Sequence, residues 1–280
     1  MHRHIDAGGG LTIHGAESGS GPPIVLLHGF TGSAETWTPL RQKLDSAYRV
    51  IAIDQPGHGQ SSSPPDPDRY RLDRFASDLA FLLDSLDIER AVVLGYSMGG
   101  RAALRFAVDY PRVVAGIVLE STSPGILDPK LRSERRTSDS ALADDIERAG
   151  MEAFVQRWEA LPLWDTQHTL PESAQLQLRQ QRLSNDPSGL ANSLRGAGAA
   201  QEGPMLDSAV GIQGPVLLIA GALDPKYVQL GRLLEKSIRN SRLEIVPNAG
   251  HAVHLEQPDA FASAIMNFLS TIQSAASRWT

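Results

Sequence analysis

The stretch VVLGYSMGGRAALRFA (92–107) begins as an apolar run, turns on glycines and continues with helix formers. At its centre, Gly95-Tyr96-Ser97-Met98-Gly99 sets a serine between two residues without side chains. A strand, a tight turn and a helix around G-x-S-x-G form the pattern of a nucleophile elbow, which pushes a serine hydroxyl out at the carboxyl end of a strand. The turn is crowded and strained, so glycines are needed beside the serine. The five-residue pattern alone is a weak signal. The apolar strand before it and GGRAALRFA after it give it weight. Arg101 stands one helical turn behind Ser97, on the same helix face.

Working outward, short apolar runs bounded by glycine, proline or aspartate recur on both sides of the elbow. They are PPIVLLHG (22–29), YRVIAID (48–54), VAGIVLEST (114–122), GPVLLIAGALD (214–224) and SRLEIVPNAGH (241–251). Each is nearly continuous in Val, Ile and Leu, as strands covered on both faces should be. Helix-period segments such as DRFASDLAFLLDSL (73–86) and YVQLGRLLEKSIRN (227–240) lie between them. Strands alternating with helices predict an α/β fold: a mostly parallel sheet flanked by helices.

The alternation stops over 124–208, which is charged and rich in helix formers, as in ALADDIERAGMEAFVQRWEAL (141–161) and ESAQLQLRQQRL (172–183). It reads as a helical lid inserted between two core strands, with 1–123 and 209–280 forming the core. There is no internal repeat.

A serine hydroxyl becomes reactive only when a histidine takes its proton, and a carboxylate must orient that imidazole. One known chain order is Ser, then acid, then His. Asp224 ends the run VLLIAGALD and His251 follows LEIVPNAG through a glycine loop, so both stand at carboxyl ends of strands in that order. Glu120 at the end of VAGIVLE competes with Asp224 as the acid, and His254 competes with His251 as the base. Asp54 precedes the elbow and fits the order poorly. His28 and His58 lie in glycine loops, and His2, His4, His14 and His168 have no strand-end setting. LLHGFTGS (26–33) follows the first strong core strand, where one donor of an oxyanion hole belongs; the expected pair is the backbone N–H of Phe30 and that of Met98. DQPGHGQS (54–61) reads as a structural turn beneath the site.

Composition closes off several classes. At 280 residues with 41% hydrophobic and 21% charged, the chain has the profile of a globular enzyme with a sizeable core. A net charge of −6 gives no footprint for nucleic acid or an anionic membrane. The absence of cysteine excludes disulfides, thiolate metal sites and a cysteine nucleophile. No His/Asp/Glu spacing suits a metal, and no Gly-rich phosphate loop stands in its required context, so no cofactor is expected. No signal-peptide core and no run of spanning length appear, so the expected location is the cytoplasm.

Together these motifs resemble the α/β-hydrolase superfamily over nearly the whole chain. A closer similarity is to the 2-succinyl-6-hydroxy-2,4-cyclohexadiene-1-carboxylate (SHCHC) synthases of menaquinone biosynthesis. It rests on LHGFTGSAETW (27–37), GYSMGGRAAL (95–104), LESTSPG (119–125), ERR (134–136), FVQRWEALPLW (154–164), RQQRLSNDPSGLANSLRG (179–196) and AGHAVHLEQP (249–258). The resemblance implies a lyase that removes pyruvate from SEPHCHC, a succinyl-cyclohexene carboxylate bearing an enolpyruvyl ether, to form SHCHC. Ser97, His251 and Asp224 would then act as a base on a ring proton, with no acyl-enzyme. Arg101 would bind a substrate carboxylate, together with Arg135 or Arg136 and Arg182 of the lid, while Tyr96, Trp158 and Trp164 would line the pocket. A serine hydrolase of small esters, or a C–C hydrolase, using the same triad is the alternative. The expected partner is a small molecule with several carboxylates.

Overall fold

The computed structural model describes residues 1–276. Its strands are β1 (His2–Asp6), β2 (Thr12–Ser18), β3 (Pro23–Leu27), β4 (Arg49–Ile53), β5 (Ala91–Tyr96), β6 (Val114–Glu120), β7 (Val216–Gly221) and β8 (Ser241–Val246). They form one sheet in the order β1-β2-β4-β3-β5-β6-β7-β8, antiparallel at the β1–β2 and β2–β4 junctions and parallel elsewhere. This is the expected α/β-hydrolase architecture.

The helices are α1 (Thr38–Leu44), α2 (Leu72–Ser85), α3 (Met98–Asp109), α4 (Pro129–Glu159), α5 (Glu172–Leu183), α6 (Pro187–Ala197), α7 (Leu206–Ala209), α8 (Pro225–Ser237), α9 (Val253–Glu256) and α10 (Pro258–Ala276). α2 shows why such segments fold as they do. Leu72, Phe75, Ala76, Leu79, Leu82 and Leu83 recur at helical spacing and are buried on one face of the sheet with Phe106 of α3. The other sheet face is covered from α1 and α10, with Leu40, Phe261, Ile265 and Phe268 in its core. β5 is buried at every position, as a central strand covered on both faces must be. β8 lies at the sheet edge and is only half covered, unlike the fully buried strand its apolar run suggests.

Between β6 and β7 the chain builds α4, α5 and α6 around a third apolar cluster of Ala143, Ile146, Phe154, Val155, Leu190, Ala191 and Leu194. Phe30, from the loop after β3, packs into that cluster, its ring centroid 5.4 Å from Trp158. α4 is two helical pieces broken at Gly150, whose φ of 76° an L-side chain rarely adopts. Among the described residues no helix is long and apolar enough to cross a membrane.

Candidate active site

Ser97 stands between β5 and α3 with φ 52° and ψ −105°, a strained backbone that costs about 1–3 kcal/mol in a non-glycine residue. The turn is this tight because the helix returns directly against the strand. A Cβ on Gly95 would lie 2.2 Å from the Gly99 carbonyl oxygen, and one on Gly99 would lie 2.3 Å from that of Leu27. The Ser97 N–H donates to the carbonyl of Glu120 at the end of β6 (2.9 Å), which fixes the elbow to the neighbouring strand.

His251 Nε2 lies 3.1 Å from Ser97 Oγ, and His251 Nδ1 lies 2.8 Å from Asp224 Oδ2. Both partners of the serine are buried, at 2% and 7% exposure, so water competes little for these contacts. Asp224 caps α8, its Oδ1 accepting from the Tyr227 N–H (3.2 Å). The loop carrying His251 is held by the Ser121 hydroxyl, which donates to the His251 carbonyl (2.8 Å), and by Glu256, which accepts from the Gly250 N–H (2.5 Å). The three expected residues therefore form a connected Ser–His–Asp arrangement.

The two competing residues bind each other instead. His254 Nδ1 lies 2.9 Å from both carboxylate oxygens of Glu120, and the His254 N–H donates to the same group at 3.0 Å.

Behind the serine, Met98 opens α3, so its N–H has no helical carbonyl to bind. On the facing loop the Gln55 N–H donates to His28 Nε2 (3.0 Å), which leaves the ring proton on Nδ1 to bind the Gly29 carbonyl (2.8 Å). The Gly32 N–H donates to that carbonyl too (3.0 Å). A trans peptide points its N–H opposite its C=O. Pinning the Gly29 carbonyl thus orients the Phe30 N–H the other way. Burial holds His28 below its ordinary pKa, and His58, whose ring lies 5.0 Å away, is pushed down to about 3 by burial and by His28.

A chamber of about 170 Å³ opens at the triad, lined by Phe30, Tyr96, Ser97, Met98, Arg101, Arg135, Trp158, Trp164, Tyr227 and His251 among others. Arg101 is 8% exposed, and its guanidinium donates to the carbonyls of Gly198 (3.0 Å) and Ala197 at the end of α6. Among the described residues no carboxylate forms an ion pair with it. Burial pulls its pKa down from the ordinary arginine value and the nearby Arg135 adds to that, while Tyr227, Asp139 and Glu202 oppose it. Arg135 itself is paired with Asp139 (2.6 Å). The indole nitrogens of Trp158 and Trp164 are buried without a hydrogen-bond partner.

The other two arginines fall elsewhere. Arg136 does not line this chamber; it donates to the Ala200 carbonyl (2.9 Å). Arg182 lines a neighbouring chamber of about 470 Å³ that shares Phe30, Tyr96 and Trp164 with the first, and it is bound to Glu159 (2.9 Å) and Gln167 (2.9 Å). Tyr227 was not foreseen. Its ring stands 4.4 Å from that of His251 at 61°, and it lines the same chamber as Ser97. The only sequence signal for it is its place three residues past the acid in ALDPKY.

An eight-stranded, mostly parallel sheet with a serine elbow, and an acid and a histidine at its strand ends, is the arrangement of the α/β-hydrolase class. The model of the alpha/beta hydrolase fold family matches residues 22–258. A putative SHCHC synthase of Bacillus subtilis is 44% identical over 89% of this chain and 90% of its own length. MenH of S. aureus superposes with a TM-score of 0.89 at 36% identity, covering 93% of this chain and 98% of that one. A thermophilic esterase of Thermogutta terrifontis, in a malate-bound structure, superposes with a TM-score of 0.86 at 27% identity over 97% and 99% of the two chains. The chain belongs to the α/β-hydrolase fold family and, within it, to the family of the SHCHC synthases.

Proposed function

We propose that this protein is a cofactor-independent carbon–oxygen lyase of menaquinone biosynthesis, which eliminates pyruvate from SEPHCHC to give SHCHC. The observation that carries the reading is Arg101, a buried guanidinium in the triad chamber that forms no ion pair and feels Asp139 and Glu202 only from a distance. A buried charge normally has a counter-charge, and here the substrate supplies it. A simple ester hydrolase has no need of such a cation. The similarity to the putative SHCHC synthase of Bacillus subtilis and to MenH of S. aureus supports the same assignment.

In this reading Asp224 holds His251 in the tautomer that leaves Nε2 free, and the Ser97–His251 pair takes a ring proton as general base. The N–H groups of Phe30 and Met98 receive the charge that builds on the adjoining oxygen. Arg101 and Arg135 take substrate carboxylates by charge-assisted hydrogen bonds, and the indoles of Trp158 and Trp164 donate beside them. Residues 124–208 act as a lid, with Phe30 in its apolar cluster as the contact between lid and core. Arg182 serves from the neighbouring chamber, where a substrate arm passes Tyr96 and Trp164.

The test is incubation with SEPHCHC and a coupled assay for pyruvate. Stoichiometric pyruvate with loss of SEPHCHC is the expected result. Absence of pyruvate together with rapid turnover of p-nitrophenyl esters would sink the lyase reading in favour of a serine hydrolase.

A further inference from the structure

Tyr227 begins α8 one turn after the carboxylate of the triad, and three relationships tie it to the reacting groups. Its N–H donates to Asp224 Oδ1 (3.2 Å), its ring centroid stands 4.4 Å from that of His251, and its side chain shares the chamber with Ser97. The side chain also lines the chamber that holds Arg101. A phenylalanine would pack against His251 equally well, so packing accounts for the ring and leaves the hydroxyl without a reason. In that chamber the phenol stands with Ser97 and with the base that Ser97 meets at 3.1 Å.

We infer that Tyr227 is a further catalytic residue, the acid that protonates the departing enol-ether oxygen and is recharged through Ser97. The inference rests on the lyase reading. Elimination needs a base for the ring proton and a proton for the leaving group. The Ser97–His251 pair takes the proton from the ring carbon and leaves an imidazolium at His251. The C–H electron pair forms a ring double bond, the existing ring alkene shifts by one position into conjugation with it, and the C–O bond breaks with its electrons on the enolpyruvyl oxygen. That oxygen takes the Tyr227 proton and departs as the enol of pyruvate, which ketonises. The phenolate recovers a proton from the imidazolium by way of Ser97 Oγ. One proton leaves the ring, one arrives on the leaving group, and the enzyme ends as it began with no co-reactant.

Burial holds the Tyr227 phenol above its ordinary pKa, with Arg101 pulling it the other way. The group therefore stays protonated, as a donor must, through neutral and mildly alkaline pH.

Tyr227→Phe in the full chain tests this, since it keeps the ring and removes only the hydroxyl. With SEPHCHC, kcat for pyruvate release should fall about 100-fold, the size expected for losing a positioned acid. KM should stay within about twofold, because the lost contact belongs to the transition state. An unchanged thermal midpoint establishes that the variant is folded. The wild type should lose activity at alkaline pH along a limb the variant lacks, and a fluorinated tyrosine at 227, with its more acidic phenol, should move that limb to lower pH. A variant with wild-type kcat overturns the role, as does one that raises KM alone. A wild type that releases no pyruvate overturns the lyase reading itself, and this role with it.

Discussion

Arg101 donates to the carbonyl oxygen of Gly198 at 3.0 Å, across 97 residues of chain, and so joins the helix that follows Ser97 to the end of α6. Helix-end carbonyls carry partial negative charge and neutralise a guanidinium only in part. The arginine therefore secures the helical segment and, in the proposed reading, keeps charge available for a substrate carboxylate. Arg101→Ala should lower kcat/KM for pyruvate release about 100-fold, which is about 3 kcal/mol and the upper range for a hydrogen bond to a charged group. Arg101→Lys should recover only part of this, because it lacks the guanidinium fork. Hydrolysis of a neutral p-nitrophenyl ester should fall far less. Equal losses in the two assays would show that Arg101 acts by holding residues 197–198 alone.

Asp224→Asn should cut kcat by about 10⁴ with little change in KM, because an amide favours the wrong tautomer of His251. Intact-protein mass spectrometry of wild type quenched during turnover should show no adduct at Ser97. A substrate-derived acyl mass on the protein would mean that Ser97 attacks carbon rather than serving the base.

Gly99→Ala should destabilise the fold and distort the elbow together. Its Cβ would meet the Leu27 and His28 carbonyl oxygens at 2.3 and 2.4 Å, and backbone cannot step aside as a flexible side chain can. A loss of about 1–3 kcal/mol, the usual cost of overpacking, should appear in urea denaturation. Wild-type stability in this variant would show that β3 and α3 can separate at no cost.

Acid should weaken the fold through His58, which is buried and held neutral. Its pKa is about 3 in the folded state and near 6.5 when unfolded, so the unfolded chain binds the proton first as pH falls. Its contribution is complete above about pH 6.5 and is lost progressively down toward pH 3, with His28 adding in the same direction. Thermal midpoints from pH 8 to pH 4 should decline, and His58→Asn should flatten the decline while lowering the plateau. Parallel curves for the two proteins would assign the acid sensitivity elsewhere.

How far the molecule was legible differs from one element to the next. β3 to β7 announce themselves as unbroken Val/Ile/Leu runs, because strands covered on both faces have no polar positions to spare. β1 and β2 gave no such signal: HRHID alternates exposed and half-buried residues, and its hairpin exists by pairing β2 to β4. Glu120 and His254 occupy strand-end and loop positions like those of Asp224 and His251, so spacing along the chain does not tell the two acid–histidine pairs apart. Their mutual bond at 2.9 Å does. ERR left Arg135 and Arg136 equivalent. Adjacent residues on a helix point about 100° apart, so only the placement of α4 turns Arg135 to the chamber and Arg136 to the Ala200 carbonyl.

The sequence by itself determined the core strands β3 to β7, the elbow at Ser97 and the order of its partners, because local periodicity and a turn that admits only glycine are properties of neighbouring residues. The tertiary structure alone decided which acid meets which histidine, that Arg101 is buried without an ion pair, and that the Tyr227 ring stands against His251. Those contacts join residues far apart along the chain, and no local pattern encodes where folded elements will meet.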